Sequence, residues 1–300
     1  MKKKMLFIYN PHAGKEALKS KLSDVLEIFM DADYEVTVYA TKQAKDATNI
    51  VSSRGDDFDF IVCSGGDGTL NEVTDGFMKL EHRPPCGYIP TGTVNDFATT
   101  HHIPKNIIMA ANNVIEGECF PCDIGSLNGD YFNYVAAFGA FTEVAYQTSQ
   151  EIKNIFGKLA YFLDGVKRLP TLKSYHIRVE LDDETESFED EIIFGMITNS
   201  KSVGGFKGIT GRNVKLDDGL FEVTLIKCPQ NAVELQAIIN SLLTREANPK
   251  YIHSFASNHI ILTSQEEISW TIDGEYGGTY HLAEIINHKK AISYIRGKKK

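Results

Sequence analysis

The sequence predicts an N-terminal doubly wound α/β domain followed by an all-β domain, an antiparallel sandwich or barrel. Three observations carry this expectation. Apolar strand-like runs alternate with amphipathic helical patterns from Met5 to Pro90, as a parallel sheet with helices on its faces requires. A glycine-rich break, Gly65-Gly66-Asp67-Gly68, joins one such run to one such helix. After about Ile124 the texture changes to short alternating strands with few helices. The expected organisation is residues 1–125 as the α/β domain and 126–289 as the β-rich domain. Residues 290–300 form a C-terminal segment returning to the first domain.

Taken in order, Met5 to Tyr9 reads as a first buried strand and Asn10-Pro11-His12-Ala13-Gly14-Lys15 as a turn. Leu18, Leu22, Val25, Leu26 and Phe29 mark an amphipathic helix. Tyr34 to Tyr39 alternates as a second strand, and Ala44, Ala47, Ile50 and Val51 suggest a second helix. Phe58 to Cys63 is the third strand, followed by a helix with Leu70, Val73 and Phe77 on one face, and Gly87 to Pro90 is a fourth strand. In the second half the strand-like segments are Tyr131 to Ala137, Tyr175 to Leu181, Ile192 to Thr198, Leu220 to Ile226, His259 to Thr263 and Ile268 to Ile272. Helices are expected near Glu151 to Arg168 and Ala232 to Thr244, and a last strand at Lys290 to Ile295. No low-complexity linker separates the halves, so a packed pair of domains with a cleft between them is expected.

Composition bounds the class. With 300 residues, 42% hydrophobic and 24% charged, the chain suits a globular protein with a sizeable core. A net charge of −9 argues against a general nucleic-acid binder. The five cysteines are an odd number at scattered positions, and Met5 to Tyr9 is too short for a signal-peptide core, so a reducing cytoplasm is expected. Cys119 and Cys122 read as incidental thiols, His101-His102 as a loop, and Trp270 as core. The longest later apolar run, Tyr134 to Phe141, is too short to span a bilayer.

The glycine-rich break carries the chemistry. Glycine lets a ligand approach the backbone, and a helix start offers free N–H groups and a favourable dipole, so the place suits phosphate. Asp67 would repel a phosphate unless a cation lay between them, which argues for Mg²⁺ and a nucleoside triphosphate. The alternative is a tight turn with Asp67 as a helix cap. The loop is neither a Walker A sequence, since no Gly-Lys-Ser/Thr follows, nor a dinucleotide fingerprint, since Asn71 stands where the third glycine belongs. Ligands on such sheets sit beyond the carboxyl ends of strands, where Asn10 to Lys15, Ser64 to Asn71 and Thr91 to Asp96 all fall.

Gly65-Gly66-Asp67-Gly68-Thr69 resembles the signature shared by diacylglycerol kinase-type lipid kinases and NAD kinases. Five further stretches match the lipid kinases, and two of them, the Asn10-Pro11 opening and the Asn95-Asp96-Phe97 set, favour these over NAD kinases. Thr91-Gly92-Thr93-Val94-Asn95-Asp96-Phe97-Ala98 and the opening Asn10-Pro11 loop are similar to the lipid kinases. So are Asn199 with Gly204-Gly205, the stretch Val214-Lys215-Leu216-Asp217-Asp218-Gly219-Leu220, and Asp273-Gly274-Glu275. These matches span nearly the whole chain in order. The departures are Ala13, where the family often has serine, and Thr99, where arginine is usual.

The resemblance implies an ATP- and Mg²⁺-dependent kinase acting on the hydroxyl of a diacylglycerol-like lipid, the site lying in the cleft between the domains. It implies Glu275 as the base, with Asp67 and Asp96 beside it in catalysis. Nucleotide contacts would come from Asn10, Gly14, Thr41, Gly65, Gly66, Asp67, Gly68, Thr69, Asn71, Glu72 and Thr93. A separate Mg²⁺ site would use the Asp218 carboxylate and the backbone carbonyls of Lys215 and Leu220; a plain Asp-Asp-Gly turn is the alternative there. Asp217 is a second ligand or simply solvated. The partners implied are ATP, a lipid at the membrane surface, no nucleic acid, and a second copy in a homodimer. The location implied is cytoplasmic, peripheral to the inner face of the membrane. Helix 151–168 either rests on anionic lipid through Lys153, Lys158 and Lys167 or packs in the core. An NAD kinase and a non-catalytic nucleotide sensor are the competing functions.

Overall fold

The computed structural model describes residues 2–93, 95–139, 173–181, 186–200, 202–203, 206–207, 214–244 and 246–298. The chain divides into two compact units, Met1–Ile124 with Lys289–Lys300, and Gly125–His288. The expected helix at 151–168 and the Gly204-Gly205 pair lie outside the described residues.

The first unit contains β1 (Lys3–Tyr9), α1 (Leu22–Asp31), β2 (Tyr34–Ala40), α2 (Asp46–Arg54), β3 (Phe60–Gly65), α3 (Asp67–Phe77), β4 (Cys86–Pro90), α4 (Asp96–Thr100) and α5 (Ile107–Glu116). The start of β5 (Glu118–Leu127) also belongs here. Its parallel sheet runs β4-β3-β1-β2, with Phe7 opposite both Val38 and Val62. β1 and β3 carry near-continuous apolar runs because both faces are covered: Met5, Leu6, Phe7, Ile8, Ile61, Val62 and Cys63 are fully buried. α1 contributes Val25 and Phe29 to this core, and α3 contributes Leu70, Val73 and Phe77, the face its sequence periodicity predicts. α5 starts at an Asn106 cap whose side chain accepts from the Met109 N–H, and it ends at Gly117. At the far end of the chain, Tyr294 pairs in parallel with Cys86, and its hydroxyl lies 2.8 Å from that of Thr74.

The second unit holds β6 (Asp130–Phe132), β7 (Val135–Gly139), β8 (Tyr175–Leu181), β9 (Glu186–Thr198), the short β10 (Ser202–Val203) and β11 (Phe206–Lys207), and β12 (Phe221–Lys227). After these come α6 (Ala232–Thr244), β13 (Ile252–Ser257), β14 (His259–Ile272) and most of β15 (Glu275–Arg296). β7 and β8 each pair antiparallel with both β9 and β14, so the four strands close a ring of pairings. β12 and β13 extend it beyond β9, and β15 extends it beyond β14. Fully buried Trp270 anchors the core, its ring 4.7 Å from that of Phe138.

Three expectations need correction. Tyr131 to Ala137 is not one strand: it breaks at Asn133-Tyr134, whose N–H groups are taken by the Asp273 carboxylate instead of a neighbouring strand. His259 to Thr263 and Ile268 to Ile272 form a single strand, hidden because Gln265, Glu266 and Glu267 are all exposed where the pairing register shifts. The Lys290 to Ile295 segment is likewise the end of β15, which runs on from Glu275.

Candidate active site

In the first unit, three loops meet beyond the carboxyl ends of β1, β3 and β4. Asn10 N–H donates to the Ser64 carbonyl at 2.9 Å, and Thr91 N–H donates to the Gly65 carbonyl at 2.8 Å. The Asn10 side-chain amide reaches the Thr69 hydroxyl at 3.4 Å. Gly14 (φ 56°) lies against the Thr91 carbonyl, where a Cβ would collide. A Cβ on Gly92 would come within 2.6 Å of the Gly66 Cα, so only glycine lets the second and third loops close.

Asn95 is the hub of this arrangement, and the site residues proposed from sequence omit it. Buried in the left-handed region at φ 55°, it accepts from the Gly92 N–H at 3.1 Å and from the Tyr88 hydroxyl at 3.3 Å. Its amide donates to the Gly92 carbonyl at 2.7 Å. Asparagine tolerates that backbone region, which is the one local signal that marks it. Its N–H donates to Asp67 Oδ2 at 3.0 Å.

Asp67 therefore does cap a helix, but not its own. α3 begins at Gly66 without a side-chain cap, leaving its first-turn amides to another partner. The Asp67 carboxylate instead meets the head of α4. Its Oδ1 is buried without a partner. Burial, and then the neighbouring charge of Asp96, push the Asp67 carboxyl up to about 6 against the pull of the α4 amides. Two further buried oxygens lack partners here, Ser64 Oγ and Thr91 Oγ1. Orphaned polar atoms around an uncapped helix start, lined by glycine, make a cradle that a phosphate and its cation fit.

The remaining first-unit candidates spread around the cradle. Gly65 and Thr69 are buried, Gly68 and Asn71 half-buried, Thr93 exposed, and Asp96 buried in the first turn of α4. Thr41 is buried beyond β2, its N–H bonded to the Tyr9 carbonyl at 3.0 Å. Glu72 Oε2 accepts from the Ala47 N–H at 3.2 Å, so this carboxylate serves the start of α2.

In the second unit, sheet topology gathers the other candidates at one end. β9 ends at Thr198, which pairs with both Val135 at the start of β7 and Glu222 near the start of β12. β14 ends at Ile272, opposite Ala136. Asn199, the Lys215–Leu220 loop and Asp273-Gly274-Glu275 thus share that end. Glu275 is exposed, and among the described residues its carboxylate has no hydrogen-bond or ion-pair partner. Asp218 Oδ1 accepts from the Leu220 N–H at 3.1 Å, which leaves Oδ2 as an oxygen donor in a loop where Lys215 and Leu220 are both exposed. That oxygen-only set suits a hard cation. Among the described residues no three His, Cys, Asp or Glu side chains gather as a metal site. All five cysteines are free, and His101 is a buried ring packed at a tilt against Phe97, the ring centres 4.2 Å apart.

Comparison with known proteins gives a consistent result. Residues 4–127 match the family model for the diacylglycerol kinase catalytic domain, and residues 136–287 that for the YegS C-terminal NAD kinase beta sandwich-like domain. A Bacillus subtilis (strain 168) protein named diacylglycerol kinase is 36% identical over 300 residues, covering 99% of this chain and 98% of the relative. One of the same name from Staphylococcus saprophyticus is 38% identical over 281 residues, covering 93% and 90%. A solved structure from Bacillus anthracis (strain Sterne) superposes with a TM-score of 0.81 at 28% identity, covering 99% of this chain and 96% of that one.

Proposed function

The chain belongs to the diacylglycerol kinase family and is a phosphotransferase with an alcohol acceptor, and from that premise we propose that it moves the γ-phosphoryl of ATP to the hydroxyl of a diacylglycerol, giving phosphatidic acid. One observation supports this most: the uncapped start of α3, set among the glycine loops with the unpartnered Asp67 Oδ1 beside it. The α3 amides would hold the ATP phosphates, with Asn10, Gly14, Thr41 and Thr93 around the nucleotide. Asp67 and Asp96 would face Mg²⁺, and Asp218 with the Lys215 and Leu220 carbonyls would hold a second ion. Bound Mg²⁺ would neutralise charge on the phosphoryl oxygens. Glu275 would take the acceptor's proton.

The substrate lives in a bilayer, and among the described residues no helix is long and apolar enough to cross one. We therefore propose that the enzyme works at the membrane surface; the homodimer that the family resemblance implies is checked by its mass in light scattering. The test is phosphorylation with γ-labelled ATP, offering diacylglycerol micelles against NAD. Label in the lipid is expected. The NAD kinase-like description of residues 136–287 favours NAD as the second reading, and label in NAD alone would overturn the first.

A further inference from the structure

Glu275 opens β15 directly after a two-residue turn. Asp273 and Gly274 both have positive φ, 49° and 85°, as a type I′ hairpin requires, and Ile272 pairs with Glu275 across it. A Cβ on Gly274 would meet nothing within 4 Å, so backbone conformation alone calls for glycine there. An ordinary Asn-Gly or Asp-Gly turn needs no more than this.

Here the turn is also pinned to a strand far away in sequence. Asp273 Oδ2 accepts from the Asn133 N–H at 2.6 Å and the Asn133 side-chain amide at 3.3 Å. Its Oδ1 accepts from the N–H groups of Tyr134, at 3.0 Å, and Val135, at 3.1 Å. The Tyr134 hydroxyl returns to the Asp273 carbonyl at 3.2 Å, and the Asp273 N–H donates to the Val135 carbonyl at 2.9 Å. Asp273 is buried, so these charge-assisted bonds lie out of water, where they hold best.

Glu275 has no such restraint on its own carboxylate. Its place is set by the backbone it leaves from, and that backbone is set by the clamp. We infer that Asp273 and Tyr134 are positioning residues for Glu275, fixing the hairpin tip so that the carboxylate meets the acceptor hydroxyl at a reactive distance. This rests on the reading of Glu275 as the base. A displacement of about 1 Å at a reacting group can cost roughly 10²-fold in rate, so a half-broken clamp is enough to be measured.

The experiment is a double-mutant cycle on the full-length protein with ATP and diacylglycerol micelles. Glu275→Gln alone should lose roughly 10²-fold or more in kcat. Asp273→Asn keeps the side chain's size but leaves one oxygen for four donors. Its kcat should fall roughly 10- to 100-fold with both KM values within about twofold of wild type. In the double variant the losses should not multiply, and turnover should match Glu275→Gln alone. Multiplying losses would overturn the inference, since Asp273 would then act independently of Glu275. A Glu275→Gln enzyme within about threefold of wild type would overturn the base assignment itself, and the positioning role with it. Where Asp273→Asn does not fold, Tyr134→Phe takes its place in the same cycle. That variant removes one hydrogen bond and should lower kcat by about three- to tenfold without moving KM.

Discussion

Two aspartates, one in each unit, do the same structural thing with different results. Asp67 and Asp273 both lie just beyond a core strand and turn a carboxylate toward the head of another element. Asp67 meets the first amide before α4, and Asp273 the amides that open β7. Asp273 engages both oxygens, whereas Asp67 keeps one buried oxygen without a partner and sits beside Asp96. A satisfied buried carboxylate holds the fold together. A half-satisfied one beside a second acid is under electrostatic stress that a bound cation would relieve.

The largest effect should come from cutting the satisfied carboxylate. Asp273→Ala leaves three main-chain N–H groups at the head of β7 without their acceptor. Each buried unmet donor costs about 1–3 kcal/mol, so a loss of roughly 3 kcal/mol or more is expected by denaturant titration. Asp67→Asn should lower the same stability far less while cutting kcat sharply. Equal destabilisation by the two would erase the distinction.

These two residues also mark what the sequence could reveal. The glycine loop, the parallel α/β half and the β-rich half are written in short-range patterns: period, apolar runs and turn residues. α3 is the clearest case, with its buried face readable directly. Asp273 reads in the sequence only as a neighbour of Glu275, because its partners lie about 140 positions earlier and nothing local announces them. Asn95 belongs to a motif but shows no role in the sequence for a similar reason: Tyr88, Asp67 and Gly92 meet there only once the sheet is assembled. β5, β13, α4 and α5 are hard to read from sequence because their apolar positions are few or interrupted by polar residues and cysteine. Polar stretches such as Glu186 to Glu191 hid the true length of β9.

A second, smaller effect would sharpen the comparison from the loop side. Gly92→Ala places a Cβ 2.6 Å from the Gly66 Cα and 2.8 Å from Asn95 Oδ1. Overpacking of this kind typically costs about 1–3 kcal/mol. It should part the second and third loops and lower ATP affinity, measured by calorimetry, while leaving the Asp273 turn's amide-exchange protection unchanged. Loss of protection at Asn133 to Val135 in this variant would mean that the two clamps are not independent.

The smallest effect is the most specific to Asp67, because it depends on the sign of a titration. An acid whose folded pKa is raised contributes stability that is complete below its unfolded value and is lost as pH climbs through the folded one. For Asp67 that window runs from the ordinary value of 3.8 up to about 6. Above it, the wild type must carry a buried charge next to Asp96, while Asp67→Asn carries none. The variant's stability relative to wild type should therefore improve between pH 5 and pH 7.5, by about 1 kcal/mol. Thermal melts of both proteins across that range give the difference directly, and a flat or reversed trend would mean that Asp67 is not stressed in the folded state. Saturating Mg²⁺ and ATP supply the missing check. A cation at the Asp67 carboxylate favours its charged form, so the pH trend should shrink when the ligand is bound. A trend unchanged by Mg²⁺ and ATP would leave Asp67 a strained cap of α4 and remove it from the phosphate site.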